Sequence, residues 1–166
     1  MSNKDYSKTD ALKIALNIER DGYDFYTVAA TKTKDQKVKD IFLMLANEEK
    51  RHLSMIRKIQ DDLVDPLTYF ISDEAMVEDY LRRVIETKVF NKVDDVGAVM
   101  EGLKTDKDVI GLAMKAEQDS MDFFQRMSEL TRDHDGQTTF KKLAGYEERH
   151  LMELKKLQKH IADLEK

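Results

Sequence analysis

The sequence predicts an all-α fold: a four-helix bundle made of two repeated helical hairpins with a long helical connection. Three observations predict it. The composition, with 37% charged residues, one Pro and six Gly among 166 residues, favours helix almost everywhere. Apolar residues recur at three- and four-residue steps along four long stretches. The chain also aligns with itself at an offset of 98 positions, as Glu19 with Glu117 illustrates. No Pro- or Gly-rich stretch separates two cores, so one domain is expected over 1–166. Within it, hairpin one covers about 8–63, the connection about 64–105 and hairpin two about 106–164.

The first helix is expected from about Thr9 to Ala30, where Ala11, Ile14, Ala15, Ile18, Gly22, Phe25 and Ala29 form one face. After the polar turn Thr31 to Asp35, a second stripe runs through Val38, Ile41, Phe42, Leu45, Ala46, Glu49, His52, Leu53, Ile56 and Ile59 to about Leu63. Pro66 breaks the pattern, so 64–72 reads as a loop, with Ser72 or Asp73 capping a helix near Glu74 to Phe90. A shorter helical piece is expected over Val93 to Leu103. Thr105 or Asp106 then opens a long helix through Val109, Leu112, Ala113, Ala116, Glu117, Phe123 and Met127. The turn Asp133 to Gly136 precedes a last helix from about Gln137 to Leu164.

Charge and residue usage exclude several functions. The net charge of -5 is mixed along the whole length, with no basic stripe, so nucleic acid is not an expected partner. There is no cysteine, which removes disulfides, zinc knuckles, iron–sulfur clusters and thiol nucleophiles. Met1 to Asp10 lacks the apolar run of a secretion signal, and no stretch approaches the ~20 apolar residues that span a bilayer. No membrane partner is expected, and the location expected is cytoplasmic.

The 98-residue offset aligns Ala15, Glu19, Asp21, Asp24 and Phe25 with Ala113, Glu117, Asp119, Asp122 and Phe123. It continues without a gap, placing Phe42, Leu45, Ala46, Glu49, Arg51, His52 and Leu53 on Phe140, Leu143, Ala144, Glu147, Arg149, His150 and Leu151. Each copy thus holds one Glu on its first helix and Glu-x-x-His on its second. Three residues is close to one turn, so carboxylate and imidazole leave the same face and can grip one ion. A single Glu-x-x-His arises by chance on any charged helix. The repeated set is different, because every member sits on an apolar stripe.

Glu19 lies about 14 residues before the middle of its turn and Glu49 about 16 after it. At ~1.5 Å per residue the two stand at similar height in an antiparallel hairpin, and Glu117 and Glu147 repeat the spacing. If the apolar faces pack together, Glu19, Glu49, His52, Glu117, Glu147 and His150 meet at one level. Four carboxylates and two imidazoles in an apolar interior repel one another unless cations neutralise them. Two divalent ions offset the four charges. Iron, manganese and zinc all suit these donors.

One Glu from each of two helices plus Glu-x-x-His from each of the other two resembles the dinuclear carboxylate pattern of ferritin-like bundles. The tandem hairpins and the segment Glu19-Arg20-Asp21-Gly22-Tyr23-Asp24-Phe25-Tyr26 look specifically like rubrerythrins. The resemblance implies a single ferritin-like domain with a di-iron pair. By it, Glu19 and His52 are terminal ligands of one ion and Glu117 and His150 of the other, with Glu49 and Glu147 bridging. It implies an oxidoreductase, peroxidase- or ferroxidase-like, that reacts ferrous iron with peroxide or oxygen in oxidative-stress defence. The alternatives are an iron storage or carrier protein and an interaction module with a structural metal. Ferritin-like bundles pair readily, so a homodimer burying part of the 64–105 connection fits the resemblance.

Two departures matter. Full-length rubrerythrins end in a rubredoxin-like domain with four cysteines, so an external electron donor is implied here. They also place an additional Glu three residues after the helix-three ligand, where this chain has Ser120, with Gly22 as its repeat mate. Such small residues are expected to leave room above the metals for water, oxygen or peroxide.

Tyr26, seven positions after Glu19, is the candidate catalytic side chain. It either hydrogen-bonds a bridging carboxylate near the metals or simply packs, and its repeat mate is Phe124. Tyr23 and Tyr146 read as packing residues. Glu48, Glu148, His134 and His160 read as surface, Arg51 and Arg149 either as anchors of carboxylates behind the ligands or as exposed salt-bridge partners, and Met44, Met55, Met114 and Met127 as core filling.

Overall fold

The computed structural model describes residues 8–62, 80–81, 96–131 and 133–166. Among them are four long helices, α1 (Lys8–Lys32), α2 (Gln36–Asp62), α4 (Asp106–Leu130) and α5 (His134–Leu164), and one short helix, α3 (Val96–Gly102). The expected loop at 64–72 and most of the expected helix at 74–90 lie outside the described residues. Only Tyr80 and Leu81 of that helix are described, and both are helical.

Helix α1 packs along α2 and α4 along α5, each pair joined by a short turn, and the two hairpins meet through α2 with α5 and α1 with α4. The stripes read from the sequence form the shared core. Val38, Phe42, Leu45 and Ile56 of α2 are buried, as are their counterparts Phe140, Leu143 and Leu154 of α5. Burying a Phe or Leu contributes roughly 1.5–3 kcal/mol, so these stripes rather than helix propensity hold the bundle. Met44 is 37% exposed and fills no core gap, whereas Met127 is fully buried. Met44 sits one step off the α2 stripe, beside exposed Leu43.

Polar residues fix where the helices begin. Thr105 caps α4 in a reciprocal box: its hydroxyl accepts from the Asp108 N–H at 3.1 Å, while Asp108 Oδ2 accepts from the Thr105 N–H at 3.0 Å. Asp133 accepts from the Gly136 N–H at 2.8 Å, so α5 starts at His134 and the expected turn 133–136 becomes its first turn. Asp35 accepts from the Val38 N–H at 3.0 Å at the head of α2 and from His160 Nε2 at 3.1 Å near the end of α5. His160 is therefore a half-buried tie between hairpins rather than a surface residue. Thr33 adds a second tie by donating to Asp106 at 2.7 Å.

Aromatic residues repeat the hairpin symmetry. Phe25 meets Tyr26 edge-on with centroids 5.4 Å apart, and Phe123 meets Phe124 edge-on at the same separation. Tyr26 packs on Phe42 at 5.8 Å, and Phe124 on Phe140 at 6.2 Å. Register and rotation of the two hairpins are thus matched, which brings equivalent positions to one level.

Candidate metal centre

Helices α1, α2, α4 and α5 deliver Glu19, Glu49 with His52, Glu117, and Glu147 with His150 to one buried layer. All six are at most 4% exposed. They form two overlapping four-residue groups able to hold a metal ion, Glu19, Glu49, His52 and Glu147, and Glu49, Glu117, Glu147 and His150, beside a three-residue group of Glu49, His52 and His150. Only Glu49 and Glu147 belong to both four-residue groups.

Each imidazole is a focus of carboxylate oxygens. His52 Nδ1 lies 3.1 Å from Glu19 Oε2, 3.1 Å from Glu49 Oε2 and 3.3 Å from Glu147 Oε1. His150 Nδ1 lies 3.3 Å from Glu49 Oε1, 3.3 Å from Glu117 Oε2 and 3.2 Å from Glu147 Oε2. A ring nitrogen carries one proton and cannot serve three acceptors. Among the described residues Glu19 Oε1 and Glu147 Oε1 accept no hydrogen bond, although both are buried. Buried carboxylate oxygens left without donors, converging on imidazole nitrogens, are the donor set a divalent cation satisfies.

Protons balance the charges when no cation does. Burial, then the charges of Glu49 and Glu147, raise the Glu19 carboxyl well above its usual range. Burial and the Glu147 charge push Glu117 up to about 8. For Glu49, burial acts upward, but hydrogen bonds from Glu19 and His150 hold it down at about 2. Glu147 is likewise lowered against burial, chiefly by a hydrogen bond from Glu117. Burial disfavours a charged His52, but the carboxylates of Glu147, Glu19 and Glu49 push it up to about 12, and His150 is raised in the same way. Two ionised carboxylates then face two imidazolium rings, and two protonated carboxyls complete a neutral set. Two divalent ions can replace those four protons.

The surroundings differ from expectation in four places. Tyr26, fully buried, donates its hydroxyl to Glu117 Oε1, a carboxylate of one group only, rather than to Glu49 or Glu147, which both groups share. Seven residues along α1 carry it past Glu49 toward the facing helix. Glu48 is not solvated surface: it is half-buried and accepts from His150 Nε2 at 3.0 Å. Its position, about 100° around α2 from Glu49, turns it toward α5 across the hairpin interface. The room expected beside Gly22 is filled, since a Cβ there would lie 3.3 Å from both Cδ and Oε1 of Glu49. Ser120 is buried and donates to the Ala116 carbonyl at 2.9 Å, so its hydroxyl stays on its own helix.

Tyr146 does more than pack. Its ring stacks on His52, 5.0 Å between centroids and 6° from parallel, and the Arg149 guanidinium lies 4.5 Å from its centroid. His52 and His150 themselves stack at 5.4 Å. The sequence signal for both missed neighbours is the repeat itself, because Glu48 and Tyr146 are mates at the offset of 98.

The Rubrerythrin family model matches residues 10–158. Among solved structures, a hypothetical protein from Pyrococcus furiosus is 23% identical with a TM-score of 0.67, covering 98% of this chain and 95% of that one. A two-domain protein from Anabaena variabilis, containing DJ-1/ThiJ/PfpI-like and ferritin-like domains, is 17% identical with a TM-score of 0.61. That match covers 95% of this chain but 41% of the other, so the chain spans less than half of its length. At these identities the likeness is one of fold. No curated protein matches the sequence.

Proposed function

The chain belongs to the rubrerythrin family, and from that premise we propose that it is a non-haem di-iron oxidoreductase reducing peroxide or oxygen. Glu19 and His52 would hold one ion and Glu117 and His150 the other, with Glu49 and Glu147 shared between them. The observation that carries the reading is the convergence of three carboxylate oxygens on each Nδ1, with Glu49 and Glu147 common to both sets. Bound there, a ferrous pair would supply the two electrons that, with two protons, reduce one peroxide to two waters.

The protein's part is to hold the ions and exclude water. The imidazoles bind through Nδ1, and the apolar stripes around them keep the carboxylates from being solvated. Described residues contain no helix long and apolar enough to cross a membrane. Reducing equivalents from an external donor are part of the proposal, since these 166 residues contain no cysteine. An oxidative-stress role in the cytoplasm and a homodimer formed over the 64–105 connection belong to the same proposal.

A second reading, iron storage or carriage, is favoured by one observation. Ser120 stands where a further carboxylate would serve as a seventh ligand, and its hydroxyl is committed to Ala116. Anaerobic loading with ferrous iron, then peroxide with a continuing reductant, separates the two. Repeated peroxide consumption supports the oxidoreductase; a single stoichiometric oxidation supports storage.

A further inference from the structure

The two halves of the centre share ligands but not the residues behind them. At His150, the outer nitrogen Nε2 donates to Glu48 at 3.0 Å. A carboxylate can only accept, so this bond fixes Nε2–H and leaves Nδ1 to face Glu49, Glu117 and Glu147 as a donor of its lone pair. At His52 the equivalent position is Tyr146, which stacks on the ring face and makes no hydrogen bond to it. His52 Nε2 has no hydrogen bond among the described residues.

The terminal carboxylates differ in the same direction. Glu117 presents Oε2 to His150 Nδ1 while Oε1 accepts from the buried Tyr26 hydroxyl. Glu19 presents Oε2 to His52 Nδ1, yet its Oε1 accepts nothing. The repeat mate of Tyr26 is Phe124, which has no hydroxyl to give.

We propose that Glu48 and Tyr26 are positioning residues that make the Glu117/His150 position the tighter metal site, filled first, and leave the Glu19/His52 position the weaker, exchangeable one. Both oxygens of Glu117 and both nitrogens of His150 are oriented before an ion arrives, so little ordering cost remains on binding. Among the described residues Glu19 Oε1 accepts no hydrogen bond and His52 Nε2 makes none, so an ion has more of that position to order. Outer hydrogen bonds of this kind change metal affinity by about 10–100-fold. The inference rests on the proposed two-ion reading.

Titration of the full chain with Co(II) under anaerobic conditions, followed by calorimetry and the visible cobalt bands, tests it. Wild-type protein is expected to bind two Co(II) in two steps separated by at least about tenfold. Glu19→Ala should abolish the weaker step and spare the stronger, which assigns each step to its position. Glu48→Ala should weaken the stronger step alone by about 10–100-fold, with Glu48→Gln falling between, since its amide oxygen still accepts. Phe124→Tyr should tighten the weaker step alone by giving Glu19 Oε1 a donor. A merely structural role of Glu48 would move both steps or neither. Two ions of equal affinity in the wild type, or a Glu48→Ala effect on the position Glu19 controls, would overturn the inference while leaving the two-ion reading intact. A wild-type chain that takes up no Co(II) overturns both.

Discussion

Hairpin one and hairpin two are nearly the same object in backbone, aromatic packing and ligand type, yet they surround their carboxylates differently. Gly22 faces Ser120 across the repeat, Tyr26 faces Phe124, and Glu48 faces Tyr146. The shared residues bring six side chains to one level. The unshared ones decide how each side chain is held. Duplication of a hairpin fixes a centre's geometry, and divergence at the positions one residue or one turn away makes its halves unlike.

The largest effect is expected from removing what the hairpins hold in common. Glu49→Ala should eliminate binding of both ions, because Glu49 is within 3.3 Å of both imidazoles, whereas Glu19→Ala should eliminate one. Elemental analysis after iron loading distinguishes them, and a Glu49→Ala chain that still carries two irons would remove Glu49 from the centre.

Gly22 and Ser120 sharpen the contrast at a smaller scale. A methyl at position 22 meets Glu49 at 3.3 Å, so Gly22→Ala should shift that carboxylate and weaken iron binding by about tenfold. Ser120→Ala loses only a hydrogen bond to its own helix and should change stability by no more than ~0.5 kcal/mol. Equal effects from the two would show that the filled space beside Gly22 is unimportant.

Acidity divides the metal-free from the metal-loaded protein. Glu117 is raised from 4.5 to about 8 on folding, so its stabilisation is complete below 4.5 and is lost as pH rises through 8. His52, raised from 6.5 to about 12, acts in the same sense, complete below 6.5 and lost as pH rises toward 12. Glu49, lowered to about 2, loses its contribution only as pH falls from 4.5 toward 2. The metal-free chain should therefore melt at lower temperature as pH rises from about 5 to about 9. Stabilisation by added metal should grow over the same window, because ions compete with protons. Melting curves with and without chelator check this, and parallel curves would contradict it.

The smallest effect concerns the ends of the hairpins. Thr105→Ala removes the cap of α4 and should cost ~1 kcal/mol, or roughly 2–4 °C in Tm, with iron stoichiometry unchanged. A loss of iron on this substitution would couple the cap to the centre.

Much of this was legible in the sequence because helix periodicity and an internal repeat carry it. The stripe from Val38 to Ile56 placed Glu49 and His52 inside, and the offset supplied each residue's mate. What was not legible depends on how two helices rotate against each other. Glu48 lies off its stripe, so only the approach of α5 turns it from surface residue into partner of His150. Tyr26 bonds Glu117 rather than Glu49 because its reach is set by the gap between α1 and α4. Gly22 looked like empty space, since a sequence shows the side chain that is missing but not the carboxylate that fills its place. His134 begins α5 because Asp133, not the expected turn, satisfies the first amides.

Iron content of the reconstituted wild-type chain bears most directly on the centre. The chain loaded anaerobically with excess ferrous iron, desalted and then treated with peroxide, is read by elemental analysis together with its optical spectrum. Two irons per chain with the absorption of an oxo-bridged ferric pair are predicted; one iron or none, or two with the spectrum of isolated ferric ions, would contradict a shared six-residue centre.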